Sequence, residues 1–168
     1  MTYRRNKKYL IPLLISFLVA PFQLYGQDFD NIEITTNHVK GNIYYLEGSG
    51  GNIGVIVGDD GVLIVDDQFA PLTNKIEAAI TDLTKLPVTF VVNSHFHYDH
   101  TDGNENFGRA GAFIVAQDNA RRRMESTQVL ASGREQEAYE DVGLPKITFF
   151  DSMRFYFNDE PIELIHTG

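Results

Sequence analysis

The chain has 168 residues, enough for one domain with a substantial core or for part of a larger one. Its 43% apolar and 22% charged residues exclude a disordered or fibrous chain, and the absence of cysteine excludes a disulfide framework and any thiolate metal ligand. A net charge of -9 argues against nucleic-acid binding, which needs basic patches to meet the phosphates.

The first 26 residues differ from the rest. Arg4, Arg5, Lys7 and Lys8 make a basic start, "LIPLLISFLVA" (10–20) is an apolar run, and small Gly26 precedes polar Gln27 and Asp28. That layout predicts a secretory signal peptide over 1–26 and a folded domain over 27–168, in the periplasm or secreted. A membrane-spanning helix wants about 20 apolar residues. Here Pro12 interrupts the run and Pro21 and Gln23 bound it, so no stable membrane anchor is expected after cleavage. Cleavage would remove four basic residues and no acidic one, leaving 10 basic against 23 acidic.

From Asn31 the pattern is rich in strands. "NIEITT" (31–36) and "GNIYYLEG" (41–48) read as the first two. "GSGGN" (48–52) is a loop; no helix follows it directly, which speaks against a phosphate cradle. "NIGVIVGDDGVLIVDD" (52–67) is a hairpin turning at 58–61. Residues 71–84 read as a helix, with Pro71 in its first turn and Leu72, Ile76, Ala79, Ile80 and Leu83 along one face. "VTFVV" (88–92) is a continuous apolar strand of the kind buried on both faces. "GAFIVAQ" (111–117) is another strand, and a helix follows with Asp118 as its expected N-cap. Its "RRR" (121–123) reads as a solvated helix face. Residues 127–146 are polar and weakly patterned: a surface loop or the rim of a site. "MRFYF" and "IELI" close the chain as a hairpin around 158–161. Strands alternating with helices give an α/β fold.

Chemistry concentrates in "NSHFHYDHTDGN" (93–104). Three of the chain's five histidines, His95, His97 and His100, fall within six residues, with Asp99 among them. On extended backbone, residues two apart leave the same side, so His95 and His97 can converge on one ion. Asp99 continues that parity, His100 steps out of it, and Tyr98 points the other way and packs. Imidazole and carboxylate without thiolate suit zinc, with iron or manganese as lesser options.

H-x-H-x-D-H after an apolar strand, here "HFHYDH", resembles the signature of the metallo-β-lactamase superfamily. "GVLIVDD" resembles that family's earlier strand ending in Asp, which maps to Asp66. "HTDGN" resembles its H-x-G-G-N continuation, with Asp102 where glycine is common. The resemblance implies an αββα sandwich, of which this chain would be the first half, a mixed sheet with helices on one face. It implies a dinuclear zinc site, with His95 and His97 on the first metal and Asp99 and His100 on the second. Asp66 would orient the ligands without binding metal. The implied reaction is hydrolysis of a small carbonyl or ester-type substrate such as a β-lactam or lactone. Metal-activated hydroxide attacks, and Asp99 is the catalytic residue that orients the nucleophile and accepts its proton.

Each metal finds only two ligands here, where a catalytic zinc normally has three from protein. In "HTG" (166–168) His166 matches the lead-in to the family's next ligand motif and reads as a near-site histidine. His38 reads as a surface residue. The expectation is a first half with exposed apolar faces that binds metal weakly alone. A non-catalytic periplasmic metal-binding or interaction module is the alternative.

Overall fold

The computed structural model describes residues 28–168, so the expected signal peptide lies outside the described residues. Chain order runs β1 (Thr35–Lys40), β2 (Ile43–Glu47), β3 (Asn52–Gly58), β4 (Gly61–Val65), a 3-10 turn (Ala70–Leu72), α1 (Thr73–Leu83) and β5 (Val88–Val92). Then come α2 (Tyr98–Thr101), α3 (Asn104–Arg109), β6 (Phe113–Gln117), α4 (Asp118–Met124), β7 (Gln128–Val129), β8 (Glu135–Gln136) and a 3-10 turn (Asp141–Gly143). β9 (Ile147–Phe149), β10 (Ser152–Phe157) and β11 (Glu160–Ile165) complete the chain. No described helix is long and apolar enough to cross a membrane.

Seven strands form one mixed sheet in the order β1-β2-β3-β4-β5-β6-β9. The first four meander antiparallel, and β4, β5, β6 and β9 run parallel. The central strands are apolar on both sides because both sides are covered. Val62, Ile64 and Val91 pack with Leu72, Ile76, Ile80 and Phe107, from α1, α3 and the turn before α1. Leu63 and Val92 face the other way, onto Phe157 and its partly buried neighbours Met153, Phe155, Ile162 and Leu164. Each such side chain withdrawn from water contributes roughly 1.5–3 kcal/mol. The pairing of β4 with β5 skips Thr89, passing from Val62↔Val88 to Leu63↔Phe90. This irregularity lets Val88 and Val91 share the helix face while Phe90 and Val92 share the other.

The β10–β11 hairpin therefore lies over the face that the helices leave open. Its turn, Asn158 and Asp159, has both residues at positive φ (54° and 60°), as a two-residue turn matching strand twist requires. That turn clasps the tip of the β3–β4 hairpin: the Asn158 N–H donates to Asp60 Oδ2 at 2.7 Å, and the Asp60 N–H to Asn158 Oδ1 at 2.8 Å. The face expected to be bare is covered here; exposed apolar side chains remain outside it, at Val129, Phe150, Tyr156 and Ile165.

Two local expectations shift. The first strand starts at Thr35 rather than Asn31. Lys75 Nζ donates to the carbonyls of Phe29, Asp30 and Ile32 at 2.7–3.0 Å, so that stretch is held by an ammonium group instead of a sheet ladder. At α4 the N-cap is Gln117, whose side chain accepts from the Asn119 N–H; Asp118 is the first helical residue.

Candidate metal centre

β5 ends at Val92 and the chain leaves the sheet into the histidine loop. Asn93 and Asn104, at the two ends of the stretch, are buried and exchange side-chain amide hydrogen bonds, both 2.9 Å. Asn104 Nδ2 also donates to the Gly143 carbonyl at 3.0 Å. This clasp closes the loop at its base. It was not anticipated, though the two asparagines bracketing the histidines were visible in the sequence.

Within the loop the extended parity stops at His97. Tyr98 to Thr101 form a helical turn, which carries His100 back over His95. The His95 and His100 ring centroids lie 4.1 Å apart, closer than the 4.8 Å between His95 and His97. His100 leaves the strand parity, as expected, but does so by a helical turn that makes it the nearer neighbour of His95. His100 Nε2 stands 3.6 Å from Asp99 Oδ2. Tyr98 does pack, tilted against Phe69 at 5.7 Å, but from a helix rather than from alternating strand geometry.

The turn after β4 holds this loop from below. Asp66 and Gln68 both have positive φ (63° and 55°), an uncommon conformation for residues other than glycine. Such backbone persists where its surroundings fix it. Asp66 Oδ1 accepts from the Ser94 N–H and Oδ2 from the Ser94 hydroxyl, both at 2.7 Å. His100 Nδ1 lies 2.8 Å from the same Oδ2. A carboxylate only accepts, so His100 donates through Nδ1–H, and in the neutral ring that tautomer leaves the lone pair on Nε2. The Ser94 proton is committed to Asp66, so at the 3.0 Å contact His95 Nδ1–H donates to Ser94 Oγ and His95 Nε2 is likewise free. Burial, then the imidazoles of His100 and His97, hold His95 below the usual histidine range, which favours the neutral ring.

Asp67 and Gln68 extend the support. The Asp67 N–H donates to the His100 carbonyl at 2.9 Å and Asp67 Oδ1 accepts from the Gly103 N–H at 3.0 Å. A Cβ on Gly103 would meet the Asp67 carboxyl and carbonyl oxygen at 3.0 Å, a tight approach that glycine avoids. Asp67 Oδ2 is buried with no hydrogen-bond partner among the described residues, and burial pushes this carboxyl well above the ordinary range. The Gln68 side chain accepts from the Ser49 N–H at 3.1 Å and donates to the Gly51 carbonyl, pinning the glycine loop against His100. Asp102, the departure from the family pattern, accepts from the Ala70 N–H at 2.8 Å and caps the turn before α1.

A cavity of about 560 Å³ opens beside the cluster, lined by Ser94, His95, His97, Arg123 and His166 among others. Arg123 lies over the Phe96 ring at 4.9 Å, so the arginine run is more than a solvated face. His166, just past β11, reaches this cavity as a near-site residue. His38 is exposed and contacts the Gly41 carbonyl through Nε2 at 3.0 Å.

The donors are of the kind zinc takes: three imidazoles and a partly exposed carboxylate. In number they are fewer than a complete site. Among the described residues no group of three or more His, Asp or Glu side chains is gathered closely enough to hold an ion. What the structure brings together are pairs of donors, His95 with His97, His95 with His100 and His100 with Asp99.

The metallo-beta-lactamase superfamily model matches residues 46–167. Among solved structures, the chain is similar to a class B3 di-zinc metallo-beta-lactamase, LRA-12, from an Alaskan soil metagenome (18% identity, TM-score 0.72, covering 86% of this chain and 56% of that one). It is also similar to BJP-1 of Bradyrhizobium japonicum, a subclass B3 metallo-beta-lactamase (22%, TM-score 0.65, 77% and 50%). A third is MIM-1 of Novosphingobium pentaromativorans (25%, TM-score 0.65, 80% and 51%). The chain thus spans about half the length of the structures it matches. No curated protein matches it. With the family model covering most of the chain, and a half-sandwich that places the HFHYDH loop at the end of a central strand, the chain belongs to the metallo-beta-lactamase superfamily.

Proposed function

We propose that this chain is part of an exported, zinc-dependent hydrolase acting on a small carbonyl or ester-type substrate. The observation that carries the reading is a chain of pairwise contacts, the His95 ring against His97 and against His100 and Asp99 beside His100, with His100 held by Asp66. His95 and His97 would hold one zinc and Asp99 and His100 a second. Zinc held there would supply Lewis-acid chemistry and a more acidic water at neutral pH. Asp99, partly exposed on the first turn of α2, orients the attacking water and accepts its proton. Ser94 and Asp66 engage Nδ1 of His95 and of His100, which leaves Nε2 of those two rings for a metal.

β-Lactams and lactones are the substrates to try first. The similar structures are named as metallo-beta-lactamases, and the cavity beside His95 and His97 has room for a small molecule. An acidic chain of net charge -9 does not suit a nucleic-acid substrate. The two-donor count per ion favours a second reading, a non-catalytic metal-binding module. Assaying the zinc-loaded full-length protein against nitrocefin and a lactone series separates the two. Turnover that Asp99→Ala reduces by about a thousandfold or more is the expected result, equivalent to some 4 kcal/mol of barrier. Full activity in Asp99→Ala would refute the role assigned to Asp99, and zinc binding without turnover of any substrate would favour the module.

A further inference from the structure

We infer that the polar insert 127–146 is a brace for the metal loop, with Gln136 as a positioning residue that sets the backbone on both sides of His97. The inference rests on the metal-centre reading above. The insert reads in sequence as a surface loop or the rim of a site, and Gln136 within it is only 6% exposed. Its side-chain Oε1 accepts from the Tyr98 N–H at 3.0 Å, and its Nε2 donates to the Phe96 carbonyl at 2.7 Å. Those two backbone groups flank His97.

The arrangement solves a specific problem. α2 starts at Tyr98 with His97 as its N-cap residue, and the first N–H groups of a helix lack partners within it. N-cap side chains usually supply an acceptor. The His97 side chain makes no such bond. Gln136 supplies an acceptor from outside instead, which leaves the His97 imidazole uncommitted and able to bind a metal. Its Nε2–H meets the carbonyl before His97 at the same time. One amide thus reads both edges of the peptide segment, as a neighbouring strand would.

Two other side chains of the insert act on the same turn. Thr101 Oγ1 donates to the His97 carbonyl at 2.9 Å, and since that hydroxyl has one proton, the Tyr139 O–H donates to Thr101 Oγ1 at 2.7 Å. The Arg134 guanidinium sits 3.8 Å over the Tyr98 ring. The insert is itself anchored, by the pairing of Gln128 with Gln136 and by the Tyr139 N–H on the Met124 carbonyl at 2.9 Å.

Cobalt(II) titration of the full-length protein, followed by d–d absorption, tests this with wild type, Gln136→Met and Tyr139→Phe. Gln136→Met keeps the side chain's length and removes both hydrogen bonds. The expected result is cobalt affinity reduced about 10–100-fold, the usual cost of losing an outer partner of a ligand, with an altered d–d spectrum. Tyr139→Phe should lower affinity less than tenfold and carries the test alone if Gln136→Met does not fold. A brace of purely structural value would lower the melting temperature of the metal-free protein and leave cobalt affinity and spectrum unchanged, and that outcome overturns the inference. Wild type that binds no cobalt sinks the metal-centre reading and this inference with it. Wild type and both variants binding alike sinks this inference alone.

Discussion

The turn at 66–68 and the insert at 127–146 both grip the histidine loop, one from the buried end of a central strand and the other from a largely exposed segment. The turn works on the base of the loop and on His100, with backbone in a left-handed conformation and carboxylates at Asp66 and Asp67. The insert works on the segment around His97 through the side chains of Gln136 and Tyr139, and its Gly143 carbonyl joins the clasp at the loop's base. The contrast assigns different tasks to the two supports. A carboxylate against an imidazole fixes a tautomer as well as a position, whereas an amide against backbone fixes position only. Metal chemistry should therefore depend more steeply on the turn than on the insert.

Asp66→Ala tests the steep side. It removes the partner of His100 Nδ1 and both acceptors of Ser94, and should lower zinc affinity by about 100-fold in a chelator competition. A loss smaller than that of Gln136→Met would reverse the ranking. Gln68→Leu tests whether the turn also governs the glycine loop. It withdraws the two amide hydrogen bonds to residues 49 and 51, and should cost about 1–3 kcal/mol in urea unfolding. Unchanged stability would mean that the 48–52 loop holds itself.

The smallest effect has the opposite sign. Asp67 has a folded-state pKa raised above its unfolded value by burial, so its neutral form suits the fold and ionisation costs stability. That cost is absent below the unfolded value near 3.8 and grows as pH rises toward the folded value. Asp67→Asn keeps an acceptor for the Gly103 N–H without the charge. It should stabilise the protein at pH 7, with the gain vanishing near pH 4. Equal gains at both pH values would show that Asp67 is not the source.

Much of this was legible in sequence where neighbours along the chain are neighbours in space. The apolar runs of β4 and β5 and the spacing of Leu72, Ile76 and Ile80 in and before α1 are local signals, and each maps onto a buried face. The HFHYDH cluster is contiguous, so its residues could be named, and Asp66 followed from the resemblance. The helical turn at Tyr98–Thr101 could not be read, because four residues carry no periodicity, so the approach of His100 to His95 could not be foreseen. Gln136 and Tyr139 lie some 40 residues from the loop they hold, in a polar stretch where hydrogen bonding, unlike burial of apolar faces, leaves no repeat in the sequence. The Lys75 contacts that displaced the start of β1 are long-range in the same way.

The central claim is that His95, His97, Asp99 and His100 hold the metal. Anomalous scattering recorded on both sides of the zinc edge, from crystals of the full-length protein grown with zinc, addresses it directly. The account predicts anomalous peaks within bonding distance, about 2.0–2.2 Å, of imidazole nitrogens on His95 and His97 and of Asp99 and His100 donors. Zinc bound elsewhere, with these four side chains making no metal contact, would contradict it.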